Sequence, residues 1–281
     1  MSNDVTGYGE RLAKLVSERG ALCAGIDPHP SLLSRWGLPV DAGGLERCAR
    51  TMVEALADLV PVFKPQSAFY ELHGSKGIAV LEQVLADVRG AGALSLLDVK
   101  RGDIGSTMDA YAAAYLADGA PLAADAITVS PYLGFGSLAG TIALAEQEGR
   151  GVYVLALTSN PEGRQVQHAR ADSGRLVAEE IVAGAAAANA GRAYGNVGLV
   201  VGATIGPTGV DLSAVHGSLL SPGIGAQGAT AADLVAVFGA ALPYVLPSAS
   251  RELMNPGPDP ALIRMKAEQM LAQMRTALPV G

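Results

Sequence analysis

Charge is scarce in this chain. Only 17% of its 281 residues are Asp, Glu, Lys or Arg, just five are lysine, and the formal net charge is −7. A surface for nucleic acid or an anionic membrane needs clustered positive charge to meet phosphate. Neither partner is expected; a small-molecule substrate is. Cysteine is scarcer still. Cys23 and Cys48 stand alone with no CxxC pair, and the four histidines (His29, His73, His168, His216) show no HxH or HxxxH spacing. A disulfide framework and a zinc site are therefore not expected. Long apolar runs are also missing: the longest, LVAVFGAALPYVLPSAS at 234–250, contains Pro243 and Pro247 and reads as helix, turn and strand rather than as a membrane span. The first ten residues carry acidic groups and no apolar signal-peptide core, so the expected location is cytoplasmic.

What the chain has in abundance is apolar residues, 49% of the total, arranged as short runs alternating with longer amphipathic ones. This is the pattern of repeated β-then-α units with parallel strands. Eight strands are predicted, at 22–27, 60–66, 94–100, 125–131, 151–159, 197–204, 218–224 and 243–250. Helices are predicted at 43–59, 74–90, 106–118, 136–148, 173–190, 229–239 and 259–277, with a short, weakly helical segment between the sixth and seventh strands. Several strands are apolar almost throughout, as strands covered on both faces must be. No linker divides the units, so residues 1–281 are expected to form one α/β domain, a single (β/α)8 barrel with a short N-terminal helix. The longest irregular stretch, NPEGRQVQHARADSG at 160–174, follows the fifth strand, where a functional loop would be expected.

In such barrels the active site lies at the C-terminal ends of the strands. Polar residues gather there: Asp27, Lys64, Gln66, Asp98, Lys100, Ser159, Thr204, Ser248, Ser250 and Arg251. The stretch SLLDVKRGDIGST, 95–107, is the densest, placing Asp98, Lys100, Arg101 and Asp103 within six positions. Side chains alternate along a strand, so Asp98 and Lys100 point together toward the barrel mouth and Val99 toward the helices. Asp98 and Lys100 alone could be a structural ion pair. With Lys64 on a neighbouring strand and Asp103 close by, two lysines and two aspartates can alternate in one partly desolvated cluster, which shifts pKa values and is costly to keep without a function. The RGD tripeptide at 101–103 suggests adhesion only in a secreted chain.

PGIGAQG, 222–228, contains GxGxxG before a helical run, but only one strand remains after it, too few for a dinucleotide-binding unit. The alternatives are a phosphate cradle from the loops after the seventh and eighth strands, with Gln227 and Arg251 as donors, and a plain Gly-rich turn beside a surface arginine. Asp27, in GIDPHP, could bind a sugar hydroxyl or cap the turn that follows.

Taken together, FKPQSAFYE, DVKRGDIGST and PGIGAQG, with GIDPHP, TVSPYLG, LTSNPEG, VVGAT and a last strand ending in SR, resemble the orotidine 5'-phosphate decarboxylase family, in its longer branch found in many bacteria. The resemblance covers nearly the whole chain. DxKxxD is shared with other sugar-phosphate barrels. The discriminating position is Lys64, where metal-dependent relatives carry a metal-binding glutamate. The resemblance implies that Lys100 protonates C6 of the pyrimidine as carbon dioxide leaves and that Asp98 lies against the substrate carboxylate. Lys64 and Asp103 would complete the array, Asp103 entering from the other subunit of a homodimer. It further implies that Asp27 and Thr107 hold the ribose side, Ser159 the pyrimidine edge, and Gln227 with Arg251 the phosphate. No metal or organic cofactor is implied. Two positions depart from the pattern: Ser130, where asparagine is common, and the late proline in VVGATIGPTG. The alternatives are another sugar-phosphate lyase or epimerase of this barrel group, and a silent nucleotide-binding relative.

Overall fold

The computed structural model describes residues 6–206, 209–224 and 231–278. Its strands are β1 (Cys23–Ile26), β2 (Val62–Pro65), β3 (Leu94–Arg101), β4 (Ala126–Val129), β5 (Gly151–Leu157), β6 (Gly195–Val201), β7 (Gly217–Pro222) and β8 (Val245–Ala249). Each pairs in parallel with the next, and β8 closes onto β1 with Ser248 opposite Cys23 and Ala249 opposite Ala24. The architecture is a single (β/α)8 barrel, as the alternation predicts.

Period-two alternation sorts each strand between two cores. Leu97 and Val99 of β3 and Ile127 and Val129 of β4 face outward into the layer shared with the helices. Leu94, Leu96, Ala126, Tyr153, Val200, Leu220 and Leu246 face inward. The helices supply matching stripes: Ala42–Leu56 buries Leu45, Cys48, Ala49, Met52, Val53 and Leu56, a strict helical spacing, and it packs between Gly74–Gly90 and Pro260–Ala277. Its start is fixed by Asp41, whose carboxylate accepts the Gly44 N–H at 2.9 Å. No helix among the described residues is long and apolar enough to cross a membrane.

The N-terminal helix, Tyr8–Arg19, closes the end of the barrel opposite the strand C-termini. Tyr8 and Leu12 enter the inner core, Tyr8 Oη lies 3.0 Å from Tyr153 Oη, and Asn196 Oδ1 accepts the Gly9 N–H.

Where the observed elements differ from expectation, local chemistry explains it. The predicted strands run one to three residues too long at most ends, because turn residues such as Asp125 and Ser159 flank the paired segments. The eighth strand starts at Val245, since Gly239–Tyr244, containing Pro243, forms a 3-10 helix. The stretch after β5 is not wholly irregular: it holds a 3-10 turn at Pro161–Gly163 and a short helix at Arg164–Gln167. The next helix begins at Val177 rather than 173, because Gly174 takes φ 81° in a tight turn and the Glu179 carboxylate accepts the Leu176 N–H. Three short helices, Pro30–Arg35, Ser67–Glu71 and Arg251–Met254, follow β1, β2 and β8 and were not anticipated.

The plug generates a stability test. A Cβ on Gly151 would stand 2.4 Å from the Tyr8 ring, so Gly151→Ala is expected to destabilise the fold by about 1–3 kcal/mol, read as a lower urea midpoint. In a Tyr8→Ala background the same substitution should cost much less. Equal costs in both backgrounds would place the strain elsewhere.

Candidate active site

The C-terminal ends of β1 to β4 carry the charged cluster. Lys64 and Asp98 face inward by alternation and are only 6% and 7% exposed. Asp98 receives four donors. Lys100 Nζ lies 2.6 Å and Thr128 Oγ1 2.7 Å from Oδ1, while Gln66 Nε2 lies 2.8 Å and Lys64 Nζ 3.3 Å from Oδ2. Lys64 Nζ also faces Asp27 Oδ1 at 3.8 Å. Asp27 Oδ1 is buried and makes no hydrogen bond among the described residues.

These contacts fix the charge states. Burial works against the Lys64 ammonium, but Asp27 and then Asp98 more than offset it and hold its pKa above the ordinary lysine value. Burial likewise pushes the Asp98 carboxyl up, yet Lys64, Lys100 and Thr128 bring it down to about 2. Lys64 and Asp98 therefore form an ionised pair at neutral pH.

Lys100 sits in an unusual backbone. The β3–β4 register jumps from Leu97 opposite Ile127 to Arg101 opposite Val129, so Asp98, Val99 and Lys100 all face Thr128 alone. Within this bulge Lys100 takes φ 44°, a left-handed conformation uncommon outside glycine. Its N–H donates to Thr128 Oγ1 at 3.0 Å. Arg101 spans the bulge, donating to the Val99 carbonyl, to Glu71 and to the Tyr115 hydroxyl.

Beside the charged chain lies a cavity of about 150 Å³, lined among others by Asp27, Lys64, Gly223, Ser250 and Arg251. Arg251 opens the short helix after β8, is exposed, and forms no side-chain hydrogen bond or ion pair among the described residues. Gln227 lies outside the described residues. A second cavity, of about 260 Å³, joins the ends of β5 and β6 and is lined by Ser159, Arg164, His168 and Thr204.

The structure thus brings Asp27, Lys64, Asp98 and Lys100 into one linked cluster, with Arg251 across the adjoining cavity. Ser159 lines the neighbouring cavity. Thr107 is exposed in the first turn of the helix Gly105–Leu116 and lines neither. The expected alternation of Lys64, Lys100, Asp98 and Asp103 does not form within one chain. The backbone has left the strand at Gly102, Asp103 accepts only the Ile104 N–H at 2.8 Å among the described contacts, and Asp27 is the second carboxylate instead. Sequence reasoning missed Thr128, whose only signal is a hydroxyl at an inward position of an otherwise apolar strand. It noted Gln66 without seeing that its amide would serve Asp98.

The chain is 60% identical to the orotidine 5'-phosphate decarboxylase of Salinispora arenicola over 272 residues, 96% of this chain and 98% of that protein. The Streptomyces coelicolor protein of the same name is 55% identical over an equal length, 96% of this chain and 98% of that protein. Among solved structures, a Streptomyces avermitilis protein superposes with TM-score 0.94 at 54% identity, covering 97% of this chain and 96% of that one. The Leishmania donovani OMP decarboxylase superposes with TM-score 0.76 at 32% identity, covering 97% of this chain and 99% of that one. With its residues 20–244 matched by the family model, the chain belongs to the orotidine 5'-phosphate decarboxylase / HUMPS family.

Proposed function

We propose that this site decarboxylates orotidine 5'-phosphate to uridine 5'-phosphate, the last step of de novo UMP synthesis, without metal or organic cofactor. The observation that carries the reading is the Lys100 ammonium held 2.6 Å from a buried, ionised Asp98 at the barrel mouth. Breaking the bond from C6 to the carboxylate leaves an electron pair on a ring carbon. A prepositioned cation can stabilise that charge and then neutralise it by proton transfer. Lys100 Nζ supplies the proton, forming C6–H, and is reprotonated from water. Asp98 faces the leaving carboxylate and holds the ammonium in place, a crowding of like charge that carbon dioxide loss relieves. Lys64 argues against the metal-dependent chemistry of other barrels in this group, because its ammonium occupies the space between Asp27 and Asp98 where a cation would have to sit.

Asp27 Oδ1, which faces Lys64 Nζ but accepts no hydrogen bond among the described residues, suits a ribose hydroxyl. Ser159 is a further contact to the pyrimidine, and Thr107, which lines neither cavity of its own chain, reaches the ribose side from a second copy alongside Asp103. Arg251, with Gln227, receives the phosphate, so binding energy from a part that does not react helps position the ring. Asp103 serves the site of a second copy in a homodimer. Supporting this, Asp103 has no cationic partner in its own chain among the described residues. The loops beside it also expose Ile104, Tyr132 and Leu133, at 62%, 76% and 50%. Those loops touch, since Ser130 donates its N–H to the Arg101 carbonyl and packs on Gly102.

Following orotidine 5'-phosphate consumption spectroscopically tests the reading directly. Lys100→Ala should fold and still bind uridine 5'-phosphate, yet lose essentially all turnover. Activity within about tenfold of wild type, a barrier change of about 1.4 kcal/mol, would remove Lys100 as the proton donor.

Arg251→Ala should strongly weaken turnover of the nucleotide while barely altering the slow reaction of the nucleoside that lacks phosphate. Equal losses on both substrates would place Arg251 elsewhere.

Mixing inactive chains tests the shared site. In a dimer of one Lys100→Ala chain and one Asp103→Ala chain, one site carries both defects and the other neither. Random exchange makes about half the dimers mixed, each with one intact site of two, so activity should recover to roughly a quarter of wild type. Recovery no greater than the sum of the separate mutants, once exchange is confirmed, would leave Asp103 acting within its own chain.

A further inference from the structure

The β3 bulge poses a problem that one hydroxyl solves. Three residues of β3 face one of β4, so the regular ladder offers the Lys100 N–H no carbonyl, and the ladder resumes only where Ser130 N–H meets the Arg101 carbonyl at 2.8 Å. Inside the ladder an N–H without an acceptor is costly even where it is only partly buried, and Lys100 already carries a left-handed φ of 44°. The only residue opposite the bulge is Thr128, 1% exposed. Its Oγ1 accepts the Lys100 N–H at 3.0 Å and donates to Asp98 Oδ1 at 2.7 Å. A hydroxyl has one proton, so accepting from the backbone of the lysine directs that proton onto the carboxylate.

We infer that Thr128 is a positioning residue for the proton donor. Its hydroxyl holds the strained backbone of Lys100 and the carboxylate that Lys100 Nζ contacts in fixed register, so that the ammonium is presented to the barrel mouth in one geometry. This rests on the proposed decarboxylation for its kinetic meaning, though the backbone restraint stands without it. Valine has nearly the same shape but lacks the hydroxyl. Serine keeps the hydroxyl and loses only a methyl.

The test compares Thr128→Val with Thr128→Ser in the full chain. Thr128→Val is expected to keep its fold and its affinity for uridine 5'-phosphate while kcat falls by about a hundredfold with KM little changed, the scale of a small misplacement of a reacting group. Thr128→Ser should recover kcat to within about fivefold of wild type. A valine variant whose kcat stays within about threefold of wild type overturns the inference, as does a serine variant that loses as much as valine. Should valine prevent folding, Thr128→Ala, which leaves space rather than crowding, is read by the same criteria. If the wild-type chain does not decarboxylate at all, the proposed function fails on its own. Amide hydrogen exchange at Lys100 then decides: faster in the valine variant and restored in serine supports the restraint, and equal rates in all three overturn it.

Discussion

Asp98 is ionised at a depth where an unpaired carboxylate would cost many kcal/mol, and the way it is satisfied ties the chemistry to the closure of the barrel. Its four donors arrive from separate places: Lys64 within β2, Gln66 just beyond it, Lys100 within β3 and Thr128 within β4. None is a local neighbour except Lys100. A slip of one residue between β2 and β3 would turn Lys64 toward the apolar helix layer, and Asp98 would lose its buried counter-charge. The register that places Leu97 and Val99 in the outer core is therefore the same register that assembles the charged cluster, and neither can be changed alone.

Within one chain the cluster balances, two ammonium groups against the carboxylates of Asp27 and Asp98. Lys64 lies deep and is held charged by both, which makes it the fixed element. Lys100 is nearly half exposed, touches one carboxylate, and is the group free to meet a substrate. On the proposed reading a partner's Asp103 and then the substrate carboxylate add negative charge to a cluster that balances within one chain. Carbon dioxide leaves neutral and its electron pair stays on C6, where the Lys100 proton neutralises it; reprotonation of Lys100 from water restores the resting charge. The bound carboxylate is thus penalised while the lysines and aspartates of each chain stay paired.

The parts of the structure legible in the sequence are those governed by regular periodicity. Eight short apolar runs alternating with longer amphipathic ones implied the barrel, and alternation sent Asp98 and Lys100 one way and Val99 the other. Boundaries and short helices were not legible, because they depend on turn chemistry such as Gly174 and Glu179 and on capping rather than on periodic burial. The place of Asp27 beside Lys64 was not legible for a similar reason: it is remote in sequence and arrives just past β1, next to β2. Asp103, where the chain has left the strand at Gly102, is instead the carboxylate the resemblance assigns to a second copy. Thr128 was hidden more deeply, since its role exists only because the bulge places three residues opposite one, and nothing in a single strand's pattern announces a bulge.

That bulge also explains where strain is tolerated. Among the described residues only Lys100 and His216 are non-glycine positions with positive φ. His216 ends a 3-10 turn before β7, at the end of the barrel away from the charged cluster, a setting where the left-handed region is ordinary. Lys100 has it inside a strand. The left-handed conformation costs roughly 1–2 kcal/mol, while the N–H to Thr128 hydrogen bond contributes about 1 kcal/mol. The Lys100–Asp98 pair adds less than a buried pair would, because Lys100 is half solvated. These terms nearly cancel, so no single contact holds the backbone by a wide margin. It is Thr128 on the β4 side, together with Arg101 fastened to Val99, Glu71 and Tyr115 on the other, that leaves Lys100 no relaxed alternative.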